Sequence, residues 1–277
     1  MLEAAIQQKD LGEGGYEAWI LLGEVRGMNE REELGMCALR EGVRIATAKG
    51  GAGGVGMLWL AIAYRNQGFD KASQLVLLEW LKRRYPDQTT SITAPSISKR
   101  SSEIHELVRD AFFAVVHSQK SIEEQDTELQ IGLGVVLYIN GEFPKAAHCF
   151  SLALSTRPDD PVLWNRYGGC LSNGEKHEES LAAFREALRL RPQYTRAIYN
   201  IGVACFNIGA MKEAVQHFLK GLAQQDEDVV GSEGGTNRSE QLWSALRRAL
   251  ISMDRRDLAD EARDGNLQIF RISGFEF

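Results

Sequence analysis

The chain has 277 residues, a formal net charge of −6 and four cysteines. A mildly acidic balance with no basic stripe excludes the electrostatic footprint of a nucleic-acid binder, and no apolar run is long enough to span a bilayer. The start of the sequence has no secretory pattern. Cys37, Cys149, Cys170 and Cys205 lack metal-like spacing and read as small buried thiols in helices, which fits a reducing compartment.

Residues 2–8 read as the tail of a helical repeat whose first helix is missing, so the chain is expected to be a fragment of a longer protein. Residues 17–49 place Trp19, Leu22, Gly23, Gly35 and Leu39 at the spacing of a helix pair. The glycine-rich run 47–56 predicts a loose link. A second pair is expected over 57–85, packed through Leu60, Ala61, Tyr64, Ser73 and Leu77 and stopped by Pro86. Residues 87–102 are polar and contain proline, which predicts an exposed loop. Residues 103–118 have helical apolar spacing through Ile104, Leu107, Val108, Ala111, Phe112 and Val115, without the glycine and aromatic pattern of the other pairs. Ser121 and Glu124 have capping-box spacing.

The next stretch is the most regular. Gly134, Gly168 and Gly202 recur every 34 residues; Phe150, Phe184 and Phe218 follow at the same interval, then Ala153, Ala187 and Gly221. Pro158 and Pro192 close two of the units. That period with that pattern is the tetratricopeptide repeat, one helix–turn–helix per unit. A single unit cannot bury its own apolar face, so units stack, and such stacks bind extended peptides on a concave side. Each glycine of a first helix is expected to let the second helix approach closely, and each phenylalanine of a second helix to fill the gap between adjacent pairs. Residues 224–238 are acidic and glycine-rich and predict a mobile break. Residues 239–262 return to helical spacing, with Leu242, Trp243, Leu246, Ala249, Leu250 and Met253 on one side, and suit a capping helix. Residues 271–277 have no clear period.

The expected fold is all-α: a tetratricopeptide-repeat superhelix in two clusters joined by an irregular hinge, with a C-terminal helical cap. Its parts are expected at 1–86 (first cluster, first repeat truncated), 87–126 (hinge loop and degenerate repeat helix), 127–225 (three repeats), 226–238 (mobile loop) and 239–277 (cap).

Polar residues recur at positions that turn toward the concave side of such repeats. Five residues after Ala61, Gly168 and Gly202 stand Asn66, Asn173 and Asn207; Asn165, Arg196 and Asn200 lie on first helices. One residue after the small positions, Ile62, Gly169 and Val203 leave room for an aliphatic side chain. An asparagine amide both donates and accepts, so a row of them suits the N–H and C=O groups of an extended peptide. A guanidinium suits a carboxylate. Together these point to capture of a peptide end. Asn173 precedes Gly174 and reads equally as a turn residue, and Asn66 and Asn207 also lie near turns. Asn165 and Asn200 are mid-helix, where asparagine is a poor helix former, so binding is the favoured reason for them. His105, His117, His148, His177 and His217 are scattered, without a catalytic partner at suitable spacing. No enzyme, cofactor or metal is expected.

The segments LWNRYG, LSNG, RPQYTRAIYNIG and FNIGA, with EAWILLGE, NERE, AYRNQGFDKA and EQLWSALRRAL, carry a closer resemblance. Over nearly its whole length the chain resembles the C-terminal repeat domain of the peroxisomal receptors for the type-1 targeting signal. The resemblance implies a cytosolic receptor cycling at the peroxisomal membrane, whose repeat clusters enclose a cargo C-terminal tripeptide of the Ser-Lys-Leu kind. It implies that Asn66 and Asn165 hold the terminal carboxylate, supported by Arg196, and that Asn200 and Asn207 bond the peptide backbone. Ile62 and Gly169 would shape the leucine pocket, with Arg166 close by.

Departures from the family are Arg65, where a small polar residue is usual, Gly169 in place of alanine, and the tail 265–277. Family members dock at peroxisomes through an N-terminal half absent from this sequence, so this chain is expected to bind cargo without completing import. Two alternatives are a receptor paralogue that regulates a membrane channel and a co-chaperone adaptor. The latter class needs several Lys or Arg on its groove helices, where this chain has mainly asparagine.

Overall fold

The computed structural model describes residues 15–50, 54–92, 100–119, 126–229, 239–262 and 266–277. Among them are fourteen helices and no strand, an all-α tetratricopeptide-repeat fold. The expected repeat tail at 2–8 and the capping pair Ser121 and Glu124 lie outside the described residues. Two compact units divide between Arg157 and Pro158, and the turn Met28–Arg31 belongs to the second.

The first unit holds α1 (Tyr16–Met28, up to Gly27), α2 (Glu32–Ala48), α3 (Met57–Asn66), α4 (Asp70–Arg84), α5 (Ser101–Ser118), α6 (Thr127–Ile139) and α7 (Phe143–Thr156). Glycines set the closeness of its first pair: a Cβ on Gly35 would stand 3.0 Å from the Gly23 carbonyl oxygen. The link after α2, expected to be loose, is tightly packed where it is described. A Cβ on Gly54 would meet Trp80 at 2.8 Å, and one on Gly56 would meet Ile20 at 2.7 Å. Both glycines take the left-handed conformation that a side chain strains. Helix α5 packs on α4 and α6. Its Phe112 is fully buried, stacks on Trp80 with ring centroids 6.1 Å apart, and lies against Gly132. The expected exposed loop also contributes to the interior, since Thr89 is buried with its hydroxyl donating to the Tyr85 carbonyl.

The α4–α6 corner is tied by one carboxylate. Asp126 caps α6 by accepting from the Glu128 amide at 2.9 Å. It also accepts from Arg84 Nη2 and from the Tyr85 hydroxyl, each at 2.8 Å.

The second unit holds α8 (Pro161–Asn173), α9 (His177–Leu190), α10 (Thr195–Asn207), α11 (Met211–Val229), α12 (Glu240–Ser252), α13 (Arg256–Glu261) and α14 (Gln268–Ile272). The periodic glycines and phenylalanines pair within their own repeats. A Cβ on Gly168 would lie 2.6 Å from the Phe184 ring, and one on Gly202 would lie 2.5 Å from Phe218. Gly134 and Phe150 repeat the arrangement in the first unit at 2.9 Å. The close helix admitted by each glycine is therefore the second helix of the same unit, brought in by its ring.

Helix α11 continues to Val229, past the start of the expected break, and Gln225 within it is buried. Leu242, Trp243, Leu246, Ala249 and Leu250 of α12 are buried as the pattern predicts. The unreadable tail joins the same core through Phe270 and Phe275. Of the four cysteines, Cys149, Cys170 and Cys205 are buried and Cys37 is exposed. Helix α2 buries Gly35, Ala38, Leu39 and Gly42, and Cys37 falls on its other side.

Candidate peptide-binding site

Helix α8 is set by its start. Asp160 accepts from the amides of Val162 and Leu163 at 2.9 and 3.2 Å, and Pro161 occupies the first turn, where its missing N–H costs nothing. Trp164 donates its indole N–H to the Pro158 carbonyl at 2.7 Å, fixing the rotation of that turn. Asn165 then faces inward and is only 8% exposed. Helix α10 starts after the buried Tyr194 and carries Arg196 and Asn200 one turn apart on one face.

The structure joins two of the expected residues directly: Asn200 Nδ2 donates to Asn165 Oδ1 at 2.8 Å. The bond uses one polar atom of each amide. It leaves the Asn165 nitrogen as a donor and the Asn200 oxygen as an acceptor, the two capacities that an extended backbone requires. Gly169 lies one helical turn beyond Asn165, and a Cβ there would meet nothing within 4 Å. This space lies on the Asn165 face of the helix, beside Gly168, where the Phe184 ring leaves no room for a Cβ.

Arg196 is paired with an acid that sequence reasoning missed. Its guanidinium forms an ion pair with Glu30, whose side chain is fully buried, while Arg196 keeps 16% exposure. Burial drives the Glu30 pKa above the usual carboxylate value, and Arg196 offsets part of that rise. Glu30 has a left-handed φ of 61°, uncommon for a residue with a side chain. Its signal in the sequence was slight: an acid after Met28-Asn29, where the first helix ends.

Other expected residues have local partners. Asn173 donates to the Gly169 carbonyl of its own helix at 2.8 Å. Asn207 is exposed at the end of α10. Arg166 is half-buried and contributes to the field at Tyr194. In the first unit, Ile62 is buried and Asn66 donates to Glu32 Oε1 at 3.1 Å. Arg65 is committed to Asp70 at 3.5 Å and stands 5.5 Å from the centre of the Tyr138 ring.

The tetratricopeptide-repeat family matches residues 171–228. The chain is 38% identical over 263 residues to the peroxisomal targeting signal receptor of Candida albicans, covering 93% of this chain and 43% of that protein. The receptor of the same name from Debaryomyces hansenii is 37% identical, with 97% and 45% covered. That of Kluyveromyces lactis is 33% identical, with 97% and 46% covered. Over nearly its whole length the chain is similar to peroxisomal targeting signal receptors. It spans a little under half the length of these relatives.

Proposed function

We propose that this chain is the cargo-binding domain of a peroxisomal import receptor, reading the C-terminal Ser-Lys-Leu-type tripeptide of matrix proteins in the cytosol for delivery to the peroxisome. The observation that carries this reading is the Asn165–Asn200 amide pair in the second unit, with Arg196 one turn away. A peptide C-terminus brings a carboxylate that must find donors when it leaves water, and a backbone that both donates and accepts. Asn165 supplies a donor and Asn200 an acceptor. The open surface at Gly169 suits an aliphatic side chain, whose full burial contributes about 1.5–3 kcal/mol. Asn207 and Arg166 are proposed as further contacts. Docking proteins at the peroxisome are proposed to act through parts of the receptor outside this sequence.

The experiment is fluorescence anisotropy with a labelled peptide ending in Ser-Lys-Leu and the same peptide amidated at its C-terminus. Saturable binding that favours the free acid is the expected result. Binding of neither peptide by protein with an intact helical signal overturns the reading.

A further inference from the structure

Helix α12 has two faces. Leu242, Trp243, Leu246, Ala249 and Leu250 are buried in the core of the second unit. Ser244, Arg247, Arg248 and Ile251 stand on the other side at i, i+3, i+4 and i+7, the spacing of one continuous face. Helix α13 packs on α12 and brings Arg256, Ala259 and Asp260 alongside. These residues together line a cleft of about 420 Å³.

The lining mixes cations with apolar surface. Three guanidiniums and one carboxylate, that of Asp260, border the cleft, a local excess of cations in a chain whose net charge is −6. Among the described residues none of the three arginines forms an ion pair, whereas Arg189 holds Glu186 at 2.7 Å and Arg255, just before α13, holds Asp257 at 2.9 Å. Arg248 lies over the Phe206 ring of α10, its guanidinium carbon 5.4 Å from the ring centre. Ala259 is buried, but Ile251 is 53% exposed. A lone exposed isoleucine is ordinary on a protein surface. One that lines a concavity among three guanidiniums offers both halves of a mixed contact.

We propose that the cleft between α12 and α13 is a docking site for an acidic segment of a partner protein, one that carries an aliphatic side chain among its carboxylates. Charge complementarity selects the acids, because arginine forks match carboxylates. The isoleucine selects the aliphatic residue. An anion alone would use the arginines and leave Ile251 in water. A purely apolar helix would cover Ile251 and leave three guanidiniums without acceptors. This surface is separate from the amide pair on α8 and α10, and the inference stands without the reading of that pair.

The test uses the whole chain and a labelled peptide, Asp-Glu-Leu-Asp-Glu-Leu, acetylated and amidated so that it has no terminal carboxylate. Its counterpart, Asn-Gln-Leu-Asn-Gln-Leu, lacks the acids. Anisotropy is expected to show saturable binding of the acidic peptide alone, weakening with added salt. The triple variant Arg247→Gln, Arg248→Gln, Arg256→Gln is expected to weaken that binding roughly tenfold or more, the combined scale of three exposed ion pairs. Ile251→Ser is expected to weaken it roughly two- to fivefold through lost apolar burial. Both variants should keep the helical signal and bind the free-acid Ser-Lys-Leu peptide as wild type does. Failure of wild type to bind the acidic peptide overturns the inference, as does equal binding by the triple variant. Loss in the triple variant with no effect of Ile251→Ser overturns it too, since the cleft would then take any anion. Binding of phosphatidylserine vesicles in place of the peptide would make the occupant a membrane and also overturns it. If wild type binds the acidic peptide but neither Ser-Lys-Leu peptide, the cargo reading falls and this inference holds.

Discussion

Asn200 and Asn165 share a single amide–amide hydrogen bond of 2.8 Å between α10 and α8, so the two positions form one element. Each side chain orients the other, and either truncation disorients the survivor. Asn165→Ala and Asn200→Ala are each expected to weaken binding of the free-acid peptide by about 1–3 kcal/mol, the scale of a polar group left unpaired. The double variant should cost clearly less than the two single costs added together, because the second truncation removes a group already misplaced. Anisotropy titrations of the four proteins check this. Strict additivity would mean that the asparagines contact the peptide independently.

Gly168 and Gly169 are neighbours with opposite environments. A Cβ on Gly168 would lie 2.6 Å from the Phe184 ring, which is fully buried. Gly168→Ala is expected to destabilise the fold by about 1–3 kcal/mol through overpacking. The same change at Gly169 meets nothing within 4 Å and gains helix propensity, so Gly169→Ala is expected to be neutral or to stabilise by up to about 1 kcal/mol. Urea midpoints measured at equal slope separate the two. Equal costs at both positions would contradict the packing described here.

The repeat fold was legible because its packing is local. Gly134 with Phe150, Gly168 with Phe184 and Gly202 with Phe218 each make contact inside one unit, so the period of 34 prints the structure directly on the sequence. Phe270 and Phe275 entered the core without any period, because a tail that fills a gap at the end of a stack needs only the right volume. The candidate site divides in the same way. Asn165 and Asn200 were readable as asparagines where a helix gains nothing from them. Their acidic neighbours were not: Glu30 meets Arg196, and Glu32 meets Asn66, only through tertiary packing. Acids between and at the starts of helices resemble the caps and solvated residues that fill such positions everywhere. The link at 47–56 misled for a related reason. Glycine-rich composition signals freedom, whereas Gly54 and Gly56 serve close contact with Trp80 and Ile20.

Asp126 makes the first unit sensitive to acid. Burial alone would raise its pKa; the hydrogen bonds from Arg84, Tyr85 and the Glu128 amide together outweigh burial and hold it below the usual value. A carboxyl with a depressed folded pKa stabilises the native state above its unfolded value, near 4, and loses that contribution as pH falls through the folded one. The stability difference between wild type and Asp126→Asn is therefore expected to be constant above about pH 6 and to shrink below about pH 4. Urea unfolding at a series of pH values measures it. A difference that grows on acidification would show that the sign is wrong.

The cysteines offer a test of burial that needs no ligand. Cys37 lies on the exposed side of α2, while Cys149, Cys170 and Cys205 are enclosed. Burial pushes the Cys149 thiol up to about 11 and raises that of Cys205, so at pH 8 the Cys149 thiolate is on the order of 0.1% populated even before access is considered. A thiol reagent added to native protein at pH 8 is expected to consume one equivalent quickly and the other three only with unfolding. In denaturant all four should react together. Cys37→Ser should abolish the fast phase and leave the slow one. Two fast equivalents in native protein would mean that a repeat opens locally at low cost, and the variant that removes the second would locate that repeat, because Cys149, Cys170 and Cys205 lie on α7, α8 and α10 respectively.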